Sequence, residues 1–160
     1  MRAKQPNSRH CFVCGVENQY GLSLKFYETD HGEVTAQTML PRYYQGYPGI
    51  AHGGVVAAML DEAAGRSLMG SMDQPRFMFT ATLNVRYRKN VPVEQPIRLV
   101  GKAGTIKRRT AEGTSTIYNE AGELLAEASV LLVNLPEETV RSVDLEALGW
   151  KVYPDDMDQG

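Results

Sequence analysis

Three features of the chain predict an α+β fold. One stretch with helical periodicity runs from Gly49 to Gly70, GIAHGGVVAAMLDEAAGRSLMG. Two strand-like runs precede it and four follow it, bounded by turn residues. The 160 residues fit one domain, which at this size buries about two-thirds of its unfolded surface in a single core.

Composition narrows the class of partner. Apolar residues make up 42%, charged residues 22%, and the net charge is −2, without the basic excess of a nucleic-acid binder. No apolar run approaches the ~18 residues that span a bilayer. MRAKQPNSRH has charges but no hydrophobic region behind them, so the expectation is a cytoplasmic protein with neither nucleic-acid nor membrane partners. Two cysteines are too few for a disulfide scaffold.

Residues 1–10 are polar and are expected to be a flexible N-terminus. His10-Cys11-Phe12-Val13-Cys14-Gly15 follows. The spacing suits two small buried thiols in a knuckle-like turn, half a zinc site completed by another subunit, or a redox pair. A four-ligand zinc site needs a second pair, and the other histidines are only His31 and His52. The expectation is therefore no metal and no cofactor. Leu22, Leu24 and Phe26 alternate with Ser23, Lys25 and Tyr27, predicting a half-buried strand to Glu28. Asp30-His31-Gly32 reads as a turn, and Glu33 to Leu40 as the second arm of an antiparallel hairpin.

PRYYQGYPGIA, from Pro41 to Ala51, is a loop leading into the helix, where binding groups concentrate. Gln45 is a candidate to hold a carbonyl or a water, and Tyr43, Tyr44 and Tyr47 to line an acyl pocket. Met72-Asp73-Gln74-Pro75 closes the helix. Strands are then expected at 76–89, 95–106, 107–118 and 124–133. Thr80, Thr82 and Asn84 fall on one face by the two-residue period. Arg86, Arg88 and Lys89, and Lys107, Arg108 and Arg109, form basic clusters suited to the phosphates of an anionic ligand. Residues 135–160 read as a C-terminal tail, with an amphipathic piece around Val143 to Leu148.

The helix carries the densest chemistry. Its apolar stripe is Val56, Met59, Leu60, Ala63, Ala64 and Ser67. Gly53 and Gly54 at its start leave unpaired N–H groups for an oxyanion or a polarised carbonyl. Asp61 and Glu62 leave the helix about 100° apart. Around Asp61 stand only Gly54, Ala57, Ala58 and Gly65, a cleared patch where a ligand or another surface packs closely. Glu62 has Arg66 four residues on, the favourable order for an exposed ion pair.

His52-Gly53-Gly54 with Asp61 resembles the HGG-x6-D signature of acyl-CoA thioesterases of the hotdog fold, in the phenylacetic-acid-degradation (PaaI-like) branch. Cys11-x-x-Cys14-Gly15-x-x-Asn18-x-x-Gly21-Leu22 is similar to the N-terminal knuckle of many members. The resemblance covers residues 11–134 and implies an antiparallel sheet wrapped around one long central helix. It implies Asp61 as general base or nucleophile, the Gly53 N–H polarising the carbonyl, and His52 shaping the turn. It further implies an assisting hydroxyl at Thr80, supplied in some members by the partner subunit, and Gln45 orienting the water. Gly54, Tyr47, Asn84, Arg86, Arg88, Lys89 and Arg108 are the expected substrate contacts. The implied assembly is a homodimer or a dimer of dimers with the acids near the interface. The expected reaction is hydrolysis of an acyl-CoA to free acid and CoA. The alternatives are hydration or dehydration of an enoyl/3-hydroxyacyl thioester, and acyl-CoA binding without catalysis.

Overall fold

The computed structural model describes residues 3–29, 31–70 and 73–155. Asp30 of the expected turn and Met72 of the expected helix-closing segment lie outside the described residues. In chain order the elements are β1 (Tyr27–Glu28), β2 (Glu33–Met39), a 3-10 turn (Arg42–Tyr44), α1 (Gly53–Ser67), β3 (Met78–Tyr87), β4 (Pro96–Ile106), β5 (Thr110–Asn119), β6 (Leu124–Asn134) and α2 (Glu137–Ser142). One six-stranded sheet has the order β1-β2-β4-β5-β6-β3, and every pairing in it is antiparallel. The long helix α1 lies against it, mainly on β4, β5 and β6. This is the hotdog architecture.

The apolar stripe of α1 drives the packing. Val56, Met59, Leu60, Ala63 and Ala64 are buried against Leu99, Ile117, Ala126, Val130 and Leu132 in one continuous core, while Ser67 is half-buried. The approach is close because β4 offers no side chain at Gly101. A Cβ there would lie 2.0 Å from the Ala63 carbonyl oxygen. Ser115 on β5 adds a directional contact, its hydroxyl donating to the Leu60 carbonyl at 2.7 Å.

Several expectations are corrected. Of the strand expected over 22–28 only β1 forms. Leu24 and Phe26 are buried as alternation predicts, but Ser23 has φ +50° and the amides of Leu22 and Leu24 donate to Phe12 and Val13. The knuckle thus claims the backbone that a ladder would have used. Residues 107–109 form the β4–β5 turn, with Lys107 N–H donating to the Thr110 carbonyl at 2.8 Å. In the tail the helix is α2, ahead of the 143–148 piece.

Residues 3–9, expected to be loosely held, are packed instead. Gln5 and Asn7 are buried, and the Asn7 side-chain amide donates to the carbonyls of Cys14 (2.6 Å) and Leu24 (2.9 Å). The backbone of Asn7 pairs with Lys151. Together the two chain ends cover Arg66. The Glu62–Arg66 pair is present at 2.8 Å, but Arg66 is 1% exposed rather than solvated. Its guanidinium lies 5.1 Å from both the Phe26 and Trp150 rings and donates to the Pro6 carbonyl.

Candidate functional site

Asp61 sits half-buried on the middle of α1 and accepts a 2.8 Å hydrogen bond from the Thr80 hydroxyl on β3. Burial raises its pKa above the ordinary aspartate value, the Thr80 bond lowers it, and the neighbouring Glu62 charge raises it. The Thr80 contact depends on an irregularity in β3. Thr80 pairs with Leu132 and Thr82 with Leu131, so Ala81 is an extra residue. Leu132 points into the core, hence Thr80 faces the helix and Thr82 and Asn84 face the opposite side of the sheet. The expectation that Thr80, Thr82 and Asn84 share a face is thus overturned: the bulge breaks the two-residue period between Thr80 and Thr82. Thr80 also meets the Asp61 of its own chain, where the resemblance allowed for one from a partner.

At the other end of the site His52 caps α1, its Nδ1 accepting from the Gly54 N–H at 2.9 Å. The acceptor role requires Nδ1 to be unprotonated. The amides of Val55 and Val56 donate to the His52 carbonyl. Of the four amides that a helix start leaves without intrahelical partners, the Gly53 N–H is the one for which no acceptor is recorded among the described residues. A cavity of about 480 Å³ opens here, lined in part by Tyr47, Ile50, Gly53, Tyr87, Lys89 and Val91. Tyr87 donates to the Gly53 carbonyl at 2.7 Å and fills the space beside the Cβ-less residue. Asp61 stands eight positions along the helix from Gly53, roughly 12 Å along its axis.

The thioesterase superfamily model matches residues 48–126, which contain the HGG start, Asp61 and Thr80. This stretch of the chain is of the thioesterase superfamily. The human acyl-coenzyme A thioesterase THEM5 is 38% identical over 52 residues, 32% of this chain and 20% of that protein. The Bos taurus acyl-coenzyme A thioesterase THEM4 is 28% identical over 129 residues, 79% of this chain and 52% of that protein. The chain therefore spans at most about half the length of these two curated relatives. A solved thioesterase superfamily protein matches with a TM-score of 0.72 at 29% identity, over 79% of this chain and 61% of that one. A Streptococcus mutans protein solved with acetyl CoA shares the fold at 19% identity and a TM-score of 0.62, over 70% of this chain and 88% of that one.

Within this superfamily fold the remaining expected residues fall in different places. Gln45 does not line the cavity; its side-chain carbonyl accepts from the Gly49 N–H at 3.1 Å and braces the loop. Only Tyr47 of the three loop tyrosines lines the cavity. The Tyr43 and Tyr44 rings meet at a tilt of 56° with centroids 4.8 Å apart, and the Tyr44 hydroxyl donates to the carbonyls of Tyr20 and Gly21, pinning the knuckle. Asn84 and Arg86 line a groove on the outer face with Thr114, Thr116 and Glu127, away from Asp61.

The basic clusters do not converge in one protomer. Thr110 pairs with Val133 and Val133 with Phe79, so Lys107, Arg108 and Arg109 lie near the start of β3. Arg86 is seven residues further on, roughly 23 Å at strand rise. Arg88 is engaged by Glu127 at 2.9 Å, and Lys89 by Glu123, whereas Arg86 and Arg108 are exposed with no ion pair among the described residues. Tyr87, Ile50 and Val91 were not singled out from the sequence. Alternation carried Leu83 and Val85 inward and would have carried Tyr87 with them. Nothing local marks Ile50 or Val91.

Proposed function

We propose that the chain hydrolyses the thioester of an acyl-coenzyme A. The observation that carries this reading is the half-buried Asp61, fixed by the Thr80 hydroxyl, on a helix whose Gly53 N–H is left free. A carboxylate with a raised pKa is suited to take a proton from water, and a free helix-terminal amide to receive the charge that develops on the thioester oxygen. In this scheme the water oxygen attacks the thioester carbon and its proton passes to Asp61. The oxyanion is held at the Gly53 N–H, and the tetrahedral intermediate collapses to free acid as the C–S bond breaks and Asp61 returns the proton to the leaving CoA sulfur. In the alternative route the Asp61 carboxylate attacks the thioester carbon and expels the CoA thiolate, and water then cleaves the acyl–Asp61 anhydride, freeing the acid and supplying the proton that the thiolate takes up. The named relatives and the acetyl-CoA-bound fold neighbour support the substrate class.

A separation of roughly 12 Å is too great for one thioester carbon to meet Gly53 and Asp61 of the same helix. We therefore propose a homodimer in which the Gly53 of one copy works with the Asp61 of the other. Strand β3 supports this arrangement: it is the ten-residue edge of the sheet, with Phe79 and Tyr87 exposed, and such an edge is a template for a second copy. The cleared patch around Asp61 lies beside it. Tyr47 and Gly54 would contact the acyl end, and Arg86, Arg88, Lys89 and Arg108, the first and last carrying no ion pair among the described residues, the CoA phosphates. In this reading residues 11–134 are the thioesterase unit, and the two chain ends act as a cover over Arg66. His52, with Nδ1 committed to the helix cap, is poorly placed to serve as the acid–base histidine of a hydratase.

Release of CoA, followed with a thiol reagent over aromatic, short and long acyl-CoAs, tests the reading. Asp61→Asn is expected to lose at least ~100-fold in kcat, within the range for removing a general base. Undiminished turnover in that variant, or enoyl-CoA formation without CoA release, overturns it.

A further inference from the structure

We propose that Cys11, Cys14 and Glu62 form a binding site for a thiophilic divalent metal ion, of which zinc fits the donor set best. The Sγ atoms of the two cysteines and a Glu62 carboxylate oxygen all lie within 4.8 Å of one another. Tetrahedral zinc holds sulfur at ~2.3 Å and carboxylate oxygen at ~2.0–2.2 Å, which places its donors roughly 3.5–3.8 Å apart. The three groups need close by no more than about an ångström around such an ion. They come from segments some fifty residues apart in the chain.

The sulfur side of the site is built. Cys11 Sγ accepts the backbone N–H groups of Val13 (3.3 Å) and Cys14 (3.4 Å), which fix the position of the sulfur within the turn. The turn is closed by the Gly15 N–H donating to the Cys11 carbonyl at 2.8 Å. Only glycine fits where the turn closes, since a Cβ at Gly15 would lie 2.3 Å from that oxygen. The two sulfurs are thereby held side by side without a disulfide.

The carboxylate side is equally fixed. Arg66, itself buried, donates from Nε to Glu62 Oε1 at 2.8 Å, which orients the carboxylate beside Cys14, its other side-chain partner. Outer partners of this kind are what hold metal-binding side chains in place. Two thiolates and one carboxylate balance the charges of Arg66 and a divalent ion, so the loaded site is neutral in a largely dry setting. Ser8, whose hydroxyl lies 3.6 Å from Cys14 Sγ, or a water bound beside it, supplies the fourth position. An ion here ties the N-terminal knuckle to α1 at the residue next to Asp61. Its role is structural, linking cover and helix, and it is independent of the thioesterase reading.

The test uses the full chain, kept reduced, stripped with a chelator and titrated with zinc chloride or cobalt chloride alone. One ion per chain is expected, with thiolate-to-cobalt charge-transfer absorption and the visible bands of a tetrahedral centre. Zinc should raise Tm and protect both thiols from alkylation, and the chelator should reverse both effects. Cys11→Ser and Cys14→Ser should each abolish the cobalt spectrum, and Glu62→Gln should weaken binding tenfold or more. Because Glu62→Gln leaves Arg66 unpaired and can unfold the chain, thiol protection in the unaltered protein stands as the second measurement. Substoichiometric binding, a cobalt adduct without thiolate bands, or thiols alkylated equally with and without zinc would overturn the site. Unchanged affinity in folded Glu62→Gln would remove Glu62 from it.

Discussion

Gly101→Ala tests how tightly the sheet holds the helix that carries Asp61. The new Cβ would meet the Ala63 carbonyl oxygen at 2.0 Å, its carbon at 2.6 Å and Val34 Cγ2 at 2.9 Å. Ordinary Cβ contacts begin near 3.4 Å, so the carbonyl must retreat by the difference between 3.4 and 2.0 Å, about 1.4 Å. The obstacle is backbone in the third turn of α1, which cannot rotate aside as a side chain would. Overpacking usually costs about 1–3 kcal/mol, and a rigid obstacle points to the upper end. At ~2–4 °C per kcal/mol for a chain of this size, Tm should fall by roughly 6–12 °C. Asp61 is two residues from Ala63 on the same helix. A displacement of ~1 Å in a positioning element costs ~100-fold in rate, so kcat/KM for acyl-CoA hydrolysis should fall steeply in whatever fraction remains folded. Thermal unfolding by circular dichroism and the thiol-release assay measure the two effects. A variant that melts with the parent and keeps its kcat/KM would refute the claim that Gly101 sets the distance between helix and sheet.

Other expectations follow from the charges around α1. In the proposed reaction Asp61 must be ionised to act as a base, and its pKa is raised, first by burial. The acid limb of kcat/KM should therefore lie above the pH at which an ordinary aspartate titrates. Thr80→Val removes the contribution that lowers the pKa and should move the limb to higher pH; no movement would show that another group controls it. The same sign governs stability. A carboxylate whose folded pKa exceeds its unfolded value loses stability as pH rises through the folded value. Asp61→Asn should thus keep or raise Tm at neutral pH, and the advantage should vanish in acid. Arg66→Met leaves Glu62 charged and unpaired in a covered site and should cost about 3–5 kcal/mol, read from denaturant unfolding; a cost near that of an exposed i,i+4 pair would mean that the chain ends do not cover it in solution.

What the sequence determined by itself are the features with a local cause. Helical periodicity located α1 and its buried stripe, turn residues separated the strands, and the HGG start with Asp61 marked the two groups to which the proposed chemistry is assigned. The positions that needed a partner far along the chain were decided only by tertiary structure. A strict two-residue period put Thr80 with Thr82 and Asn84, but pairing with β6 inserted a bulge at Ala81 and turned Thr80 alone toward Asp61. An i,i+4 rule put Glu62 and Arg66 on an exposed face, because it does not register that residues 5–7 and Trp150 close over them. The knuckle lacked a further ligand in sequence for the same reason: Glu62 reaches Cys11 and Cys14 only once α1 has docked. Local patterns fix which face an element buries, whereas burial by remote segments, and the chemistry burial creates, exist only in the assembled fold.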